Sequence, residues 1–193
     1  MYYRIIPALL LLLIFSTAQA DTFSYHYLGV FKDDGDIDIG RGQTVDVDLI
    51  GITGSIPINK TVFATASYAD GDIEDSVDIE AWSIGLGAHF PLNHTTDFVV
   101  GISHSEATLS NGSQSFTADG EDISLGLRAQ VNPQLEVFAY YSIEISSSEG
   151  EEDNNSIGFG GLINISPTVA LGFGLEKSDD FDSTTINLRV YFD

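Results

Sequence analysis

The sequence predicts an all-β fold, an antiparallel up-and-down β-barrel of ten strands, with eight strands as the alternative. Three observations predict it. Apolar side chains alternate with polar or small ones through most of the chain, helical periodicity is missing after residue 20, and short turns alternate with long acidic links. The chain has no cysteine, which excludes a disulfide framework, a thiolate metal site and a cysteine nucleophile.

The first 20 residues have the pattern of a secretory signal peptide. Arg4 precedes an apolar run over residues 5–15, and the small residues Ala18 and Ala20 flank the expected cleavage site after Ala20. We therefore expect a signal peptide over residues 1–20 and one domain over residues 21–193. No later run approaches the roughly 20 consecutive apolar residues of a membrane-spanning helix. The mature chain can thus enter a membrane only as strands.

The first half of the mature chain predicts five strands, near residues 22–32, 43–56, 61–69, 79–91 and 97–108. In the first, Phe23, Tyr25 and Tyr27 are expected on the outer face. The second changes parity near Leu49 and Ile50, which predicts a β-bulge there. The fourth alternates cleanly, since its outer face carries Trp82, Ile84, Leu86, Ala88 and Phe90.

The second half predicts five more strands, near residues 121–131, 134–146, 155–165, 168–177 and 183–192. Apolar residues such as Leu125 and Leu171 share one face along each run, and we expect them to point outward. In the last strand the outer face carries Ile186, Leu188, Val190 and Phe192, and the inner face carries Thr185, Asn187, Arg189 and Tyr191.

The links between these strands gather the negative charge at one pole. Strands two and three, four and five, six and seven, and eight and nine are joined by the short turns PINK, PLNHTT, NPQ and SPT. The other links are long and hold most of the 29 acidic residues, which give a formal net charge of −22. This charge excludes a nucleic-acid partner. With 43% hydrophobic and 11% aromatic residues, the chain has enough apolar material to fold.

An even number of antiparallel strands, with short turns at one end, long links at the other and an apolar outer face, is typical of a transmembrane β-barrel. The sheet must close because hydrocarbon leaves no backbone group unpaired. A ten-stranded lumen is narrow, so we expect side chains to fill it. Small inward residues leave room for Arg128, Arg189, Glu136 and Glu144. Interface aromatics are expected toward the long links at Phe31, Tyr68 and Trp82, and toward the short turns at Phe90, Phe98 and Phe192.

The ending TINLRVYF runs from Thr185 through alternating apolar positions to Phe192, with Asn187 where glycine is common and Asp193 after the aromatic. It is similar to the terminal strand read by the barrel-insertion machinery. The whole mature chain resembles the small outer-membrane β-barrel proteins of Gram-negative bacteria, the porin-like or OmpA-like family. This resemblance implies the bacterial outer membrane, lipid and lipopolysaccharide as surroundings, and a monomer.

The acidic link after the first strand resembles the start of a calcium-binding loop at Asp34, Asp36 and Asp38. The glycine falls at Gly40 and Thr44 stands where a bidentate glutamate is needed. We therefore expect no dedicated metal site and no cofactor. Divalent cations that bridge the acidic links to lipid phosphates remain an alternative to a solvated surface.

Arg128 is expected opposite Glu136 across the NPQ turn, either as an ion network that fills the barrel or as a selectivity element. An omptin-like enzyme would need an acid–base constellation at the long links. Only His104 can approach them, beside Ser103, Ser105 and Glu106, and the predicted strands are too short to carry a groove above the membrane. We expect no catalytic residue. Three functional classes remain: a closed structural or surface-interaction barrel, a small cation-preferring pore and, least supported, an enzyme.

Overall fold

The protein forms a closed ten-stranded antiparallel barrel, seen in a computed structural model that describes residues 23–38, 43–74, 77–146, 154–179 and 181–192. Each strand pairs with its neighbours in sequence, and β10 closes against β1. Ten strands and the up-and-down order are confirmed, and the predicted signal peptide lies outside the described residues. The strands are β1 Tyr27–Asp38, β2 Thr44–Pro57, β3 Val62–Ile73, β4 Val77–Asn93, β5 Thr96–Asn111, β6 Gln114–Asn132, β7 Leu135–Ser146, β8 Asn154–Ser166, β9 Val169–Ser178 and β10 Phe181–Tyr191.

The two faces of the sheet are the reverse of those in a water-soluble barrel. Outward Leu125, Leu171 and Ile186 are 45%, 44% and 57% exposed, whereas inward Arg128 and Asn187 are each only 8% exposed. Large apolar residues left uncovered around the whole circumference require lipid as their solvent. The predicted facing of β4 and of β6 to β10 is confirmed. Within the described part of the chain, no helix has the length and apolar character needed to cross a membrane.

Toward the long links, the polarity of the two faces inverts in β1 to β4. With the exceptions of Lys32 and Asp33 on β1, most outward residues there are carboxylates and the inward residues with large side chains are Ile37, Val45, Val47, Leu49, Ile73 and Ile79. The register of β1 with β2 and of β2 with β3 shows no shift, so the predicted bulge near Leu49 and Ile50 is wrong. The alternation of inward and outward positions is constant along these strands, while the surroundings of the outer face change from lipid to water. Apolar side chains therefore occupy outward positions in the lipid-facing part and inward positions toward the long links.

The first strand begins later than predicted. Phe23 and Tyr25 precede β1 and are buried inside the barrel at 5% and 9% exposure. The outward residues of β1 are Leu28 and Val30, at 54% and 51%. The expectation that Phe23, Tyr25 and Tyr27 lie on the outer face is therefore wrong, because alternating aromatics suit a packed lumen as well as a lipid belt.

Interface aromatics occupy most of the predicted positions. Tyr68 is outward and pairs with Trp82 near the long links, and Phe90 pairs with Phe98 near the short turns. Phe31 is an exception. It faces the lumen, where its ring packs against the inward Gly51.

The link between β5 and β6 is a tight hairpin instead of a long loop. Asn111 pairs with Gln114, and Gly112 has φ of 60° at the first turn position, the geometry of a type II′ turn. The Gly112-Ser113 pair signals this turn, but the Ser, Gly and Asp residues around it resemble a loop. As a result β5 and β6 contain 16 and 19 residues, well beyond the 9–11 or so that span a bilayer. The expectation of short strands is wrong here.

Candidate functional site

The lumen contains a series of neighbouring cavities, which share lining residues, between the long links and the short turns. The outer cavity, the acidic cavity, the middle cavity and the lower cavity measure about 700, 210, 480 and 560 Å³. Glu144 and Asn154 line both the outer and the acidic cavity, and Asp122 and Glu176 line both the acidic and the middle cavity. The middle and lower cavities meet at Arg128 and Glu136.

A buried ion pair separates the middle cavity from the lower one. The Arg128 guanidinium makes two hydrogen bonds to the Glu136 carboxylate, from Nε to Oε1 and from Nη2 to Oε2, the second at 3.1 Å. Arg128 and Glu136 are 8% and 6% exposed. The predicted placement of these residues opposite each other is confirmed. Their two-point contact fixes the guanidinium plane across the lumen.

The chain before β1 packs onto this ion pair. The Arg128 guanidinium carbon lies 4.8 Å from the ring centroids of both Phe23 and Tyr25. Arg128 Nη1 also donates to the carbonyl oxygen of Ser24 at 3.2 Å. Cation–π contacts of this kind gain strength when water is excluded. The side chains of Phe23 and Tyr25 therefore lie inside the barrel and tie the segment of residues 23–26 to it.

A second set of contacts holds the same segment from the neighbouring strands β3 to β5, where Asp97 is the cross-strand partner of Arg128. Tyr25 Oη donates to Asp97 Oδ2 at 3.0 Å, and the same oxygen lies 3.0 Å from His89 Nδ1. The Tyr25 ring stacks on His89 at 4.2 Å and on Phe63 at 4.6 Å. We name the closing layer as the set of Phe23, Tyr25, Phe63, His89, Asp97, Arg128 and Glu136.

Above the closing layer, the lumen collects carboxylates. The inward Asp33, Asp122, Glu144 and Glu176 come from β1, β6, β7 and β9, and Glu176 repels both Asp33 and Asp122. Tyr140 Oη donates to Glu176, and Thr185 Oγ1 donates to Asp33 Oδ1 at 2.9 Å. Among the described residues, no Lys or Arg forms an ion pair with any of the four. We call these four residues the luminal carboxylates.

In the alternating patterns of β6, β7 and β9, the inward positions include Asp122, Glu144 and Glu176. The sequence therefore indicates that these carboxylates face the lumen. Predicting the cluster requires knowing that β6 to β9 form one side of the closed barrel and that β10 joins β9 to β1. The closing layer has a weaker signal, because its N-terminal part lies before the first strand.

The outer rim at the long links has its own ion pairs. Lys32 on β1 hydrogen-bonds Asp34, and its Nζ lies 2.8 Å from Asp48 Oδ1. These two hydrogen bonds raise the pKa of Lys32, and the bond from Lys32 lowers the pKa of Asp48. Asp34 and Asp36 thus lie on the outer face of a strand and not in a ligand loop, and Gly40 lies outside the described residues.

The histidines lie away from the outer cavity. His104 faces outward at the upper aromatic belt, where its ring lies 5.5 Å from that of Trp82 and its Nδ1 lies 3.8 Å from Glu121. His89 belongs to the closing layer, His26 packs on Phe192 at 5.2 Å, and His94 is exposed at a short turn. All four histidines are in the described part of the chain, and the long-link end of the lumen holds none.

The sequence matches the family described as outer membrane protein beta-barrel domain over residues 6–191. No curated protein matches it. Among solved structures, the KdgM porin in complex with disordered oligogalacturonate aligns with a TM-score of 0.51 and 4% identity, over 86% of this chain and 99% of the porin. At that identity the likeness shows the fold alone.

Two Neisserial barrels align less closely. The translocator domain of the autotransporter NalP from Neisseria meningitidis has a TM-score of 0.46 and 11% identity, over 89% of this chain and 90% of that domain. Neisserial surface protein A has a TM-score of 0.42 and 17% identity, over 88% of this chain and 98% of that protein.

Proposed function

Because the chain belongs to the family of outer membrane protein β-barrel domains, we propose that it is an integral protein of the bacterial outer membrane with a closed lumen and a structural or surface-interaction role. The closing layer is the observation that carries this proposal. Its charged groups are buried and paired, and its aromatic rings stack on them. A signal peptide would deliver the chain across the inner membrane.

Opening the closing layer requires a large free energy. Removing one partner of a buried ion pair typically costs about 3–5 kcal/mol, because the other charge is left without compensation. Arg128 would lose Glu136, the Ser24 carbonyl and two aromatic faces at once. Such a layer across the lumen would obstruct steady transport, and it therefore supports a closed barrel.

The acidic rim is the surface that this barrel would present outside the cell. Outward carboxylates at that end include Asp46, Asp48, Asp70, Asp78 and Glu80. We propose that divalent cations bridge this rim to lipopolysaccharide phosphates, as oxygen ligands favour such ions. The barrel would fold as a monomer with the help of the insertion machinery, without cofactor or nucleic acid.

Planar-bilayer recordings test the closed lumen. We expect the purified wild-type protein to show no large stable conductance, because the closing layer separates the middle and lower cavities. At most, small cation-preferring events are expected, since the luminal carboxylates attract cations. Stable, anion-selective channels in the nanosiemens range would contradict the proposal.

A small cation-preferring pore is the second candidate, and the neighbouring cavities above the closing layer favour it. The double change Arg128→Gln and Glu136→Gln removes both charges of the pair while it keeps the side-chain length similar. If the lumen is closed in the wild type, this variant should gain cation-selective conductance that the wild type lacks. If the protein is a pore, wild type and variant should conduct alike. Ser124→Thr, an inward change away from the ion pair, serves as the control.

An omptin-like surface enzyme is the least supported candidate. The long strands β4 to β6 do rise above the bilayer, yet His104 points outward against Trp82. An acid–base mechanism at the outer cavity would have to work with carboxylates and hydroxyls alone.

A further inference from the structure

The outer cavity has two chemically different walls, and neither the closed lumen nor the acidic rim explains this division. Its volume of about 700 Å³ lies within the range of small-molecule sites, roughly 300–1,000 Å³. One wall, from β1 to β6, has an apolar row of Phe31, Leu49, Ala69, Ala81, Ala107 and Ala118, and a row of Ser67, Ser83 and Ser105 lies next to it on the side of the short turns. The other carries Asp33, Glu144 and Asn154, and it leads into the acidic cavity.

The polar wall is rich in acceptors and poor in donors. The luminal carboxylates have no cationic partner among the described residues, and the two luminal arginines lie further toward the short turns. Asn154 lines both cavities through other atoms, since its Oδ1 is inaccessible to solvent. Carboxylate oxygens carry negative charge and only accept hydrogen bonds. Hence the wall suits a ligand that brings both positive charge and N–H groups.

The apolar wall identifies the rest of the ligand. Small alanines opposite Phe31 and Leu49 leave an apolar space beside the carboxylates. Above it, the inward Val47, Ile73 and Ile79 continue the apolar surface toward the long links. Among the described residues, no three or more His, Asp or Glu side chains converge as metal ligands do. An inorganic cation would also leave the apolar wall uncovered.

The geometry points to a binding site in the outer cavity for a small amphipathic organic cation, a primary amine with an aromatic or aliphatic body. Its ammonium would lie between the carboxylates of Asp33 and Glu144, and its body would pack against Phe31 and Leu49. The site lies on the outer side of the closing layer, so it does not depend on whether the barrel conducts.

Calorimetric titration of the purified full-length barrel in detergent tests the site with three probes of the same shape. Phenethylamine is cationic, phenethyl alcohol is neutral and phenylacetate is anionic, and empty micelles provide the blank. We expect phenethylamine to bind at least tenfold more tightly than phenethyl alcohol, and phenylacetate not to bind. Equal binding of the amine and the alcohol, or no binding of the amine, would overturn the proposal.

Two matched variants locate the binding. Asp33→Asn with Glu144→Gln should weaken phenethylamine binding at least tenfold, whereas Asp70→Asn with Glu80→Gln removes the same charge from the outer face and should leave it unchanged. Equal weakening by both would show diffuse attraction to an acidic protein and would overturn the site.

A third variant is needed if the protein with Asp33→Asn and Glu144→Gln does not fold, as judged by heat-modifiable migration. It keeps all the carboxylates and reduces the space beside the apolar wall. Ala107→Leu should also weaken phenethylamine binding, because its larger side chain fills the space for the ligand body. Unchanged phenethylamine affinity in a folded Ala107→Leu variant would place the ligand elsewhere and contradict the proposal.

Discussion

Replacing Leu125 or Leu171 by arginine is expected to destabilise the barrel by about 2–4 kcal/mol or to block its assembly, as measured for cations near the bilayer midplane. Both leucines face outward, Leu125 well inside β6 beside Val100 and Tyr141, and Leu171 as the third residue of β9 beside Leu188, so the cost should be larger at Leu125. They are exposed to lipid alone, so an arginine there has no carboxylate to pair with. Urea unfolding of refolded protein in lipid vesicles measures the loss.

Depth separates this cost from a general intolerance of arginine. Thr184→Arg places the same side chain on the outer face of β10 at the rim, beside Asp34, and should cost only about 0–1 kcal/mol. Ser124→Arg instead places the long side chain inside the lumen, because Ser124 faces inward beside Gly101 and lines the middle cavity. Assembly of Leu125→Arg at the wild-type level would mean that the outer face of β6 does not contact lipid.

Strict alternation predicts the lipid-facing part of the barrel well, because hydrocarbon outside and small residues inside impose the same pattern on every strand. The pattern misleads where the strand leaves the bilayer. Between Ile50 and Leu49 the apolar residues change from one face to the other. If the outer face is assumed to contact lipid along the whole strand, this change predicts a bulge. The unshifted pairing of β1 with β2 shows that the strand keeps its alternation through this point. The apolar residues change face because the surroundings change from lipid to water.

The closing layer was only partly predictable. Arg128 and Glu136 are eight positions apart across a short turn, so local pairing brings them together. Ser24 is 104 positions from Arg128, and no periodicity links them. Phe23 and Tyr25 also continue the alternation of β1, which hides their departure from the strand. Contacts across a closed lumen depend on the order and pairing of all ten strands, which periodicity does not provide. The residues of the candidate site are therefore only partly predictable from the sequence.

The terminal strand carries the other large expected effect. Phe192→Asp should abolish most outer-membrane assembly, so that the chain accumulates in the periplasm and is degraded. Phe192 is 45% exposed on the outer face at the short-turn end, where an aqueous carboxylate would replace an interface aromatic. Its resemblance to the terminal signal of the insertion machinery adds a second reason. The heat-modifiable fraction in purified outer membranes measures the effect.

Separate variants distinguish the side chain of Phe192 from its backbone. The Phe192 N–H donates to the carbonyl oxygen of His26 at 3.0 Å and continues the closure of β10 onto the chain before β1. Phe192→Asp keeps this bond, deletion of Phe192 and Asp193 removes it, and Phe192→Tyr keeps both the bond and an aromatic ring. We expect Phe192→Tyr to assemble, the other two to fail, and deletion of Asp193 alone to be nearly silent. Equal folding of Phe192→Asp and wild type would show that the aromatic end of β10 is not read during insertion, and that backbone closure alone suffices.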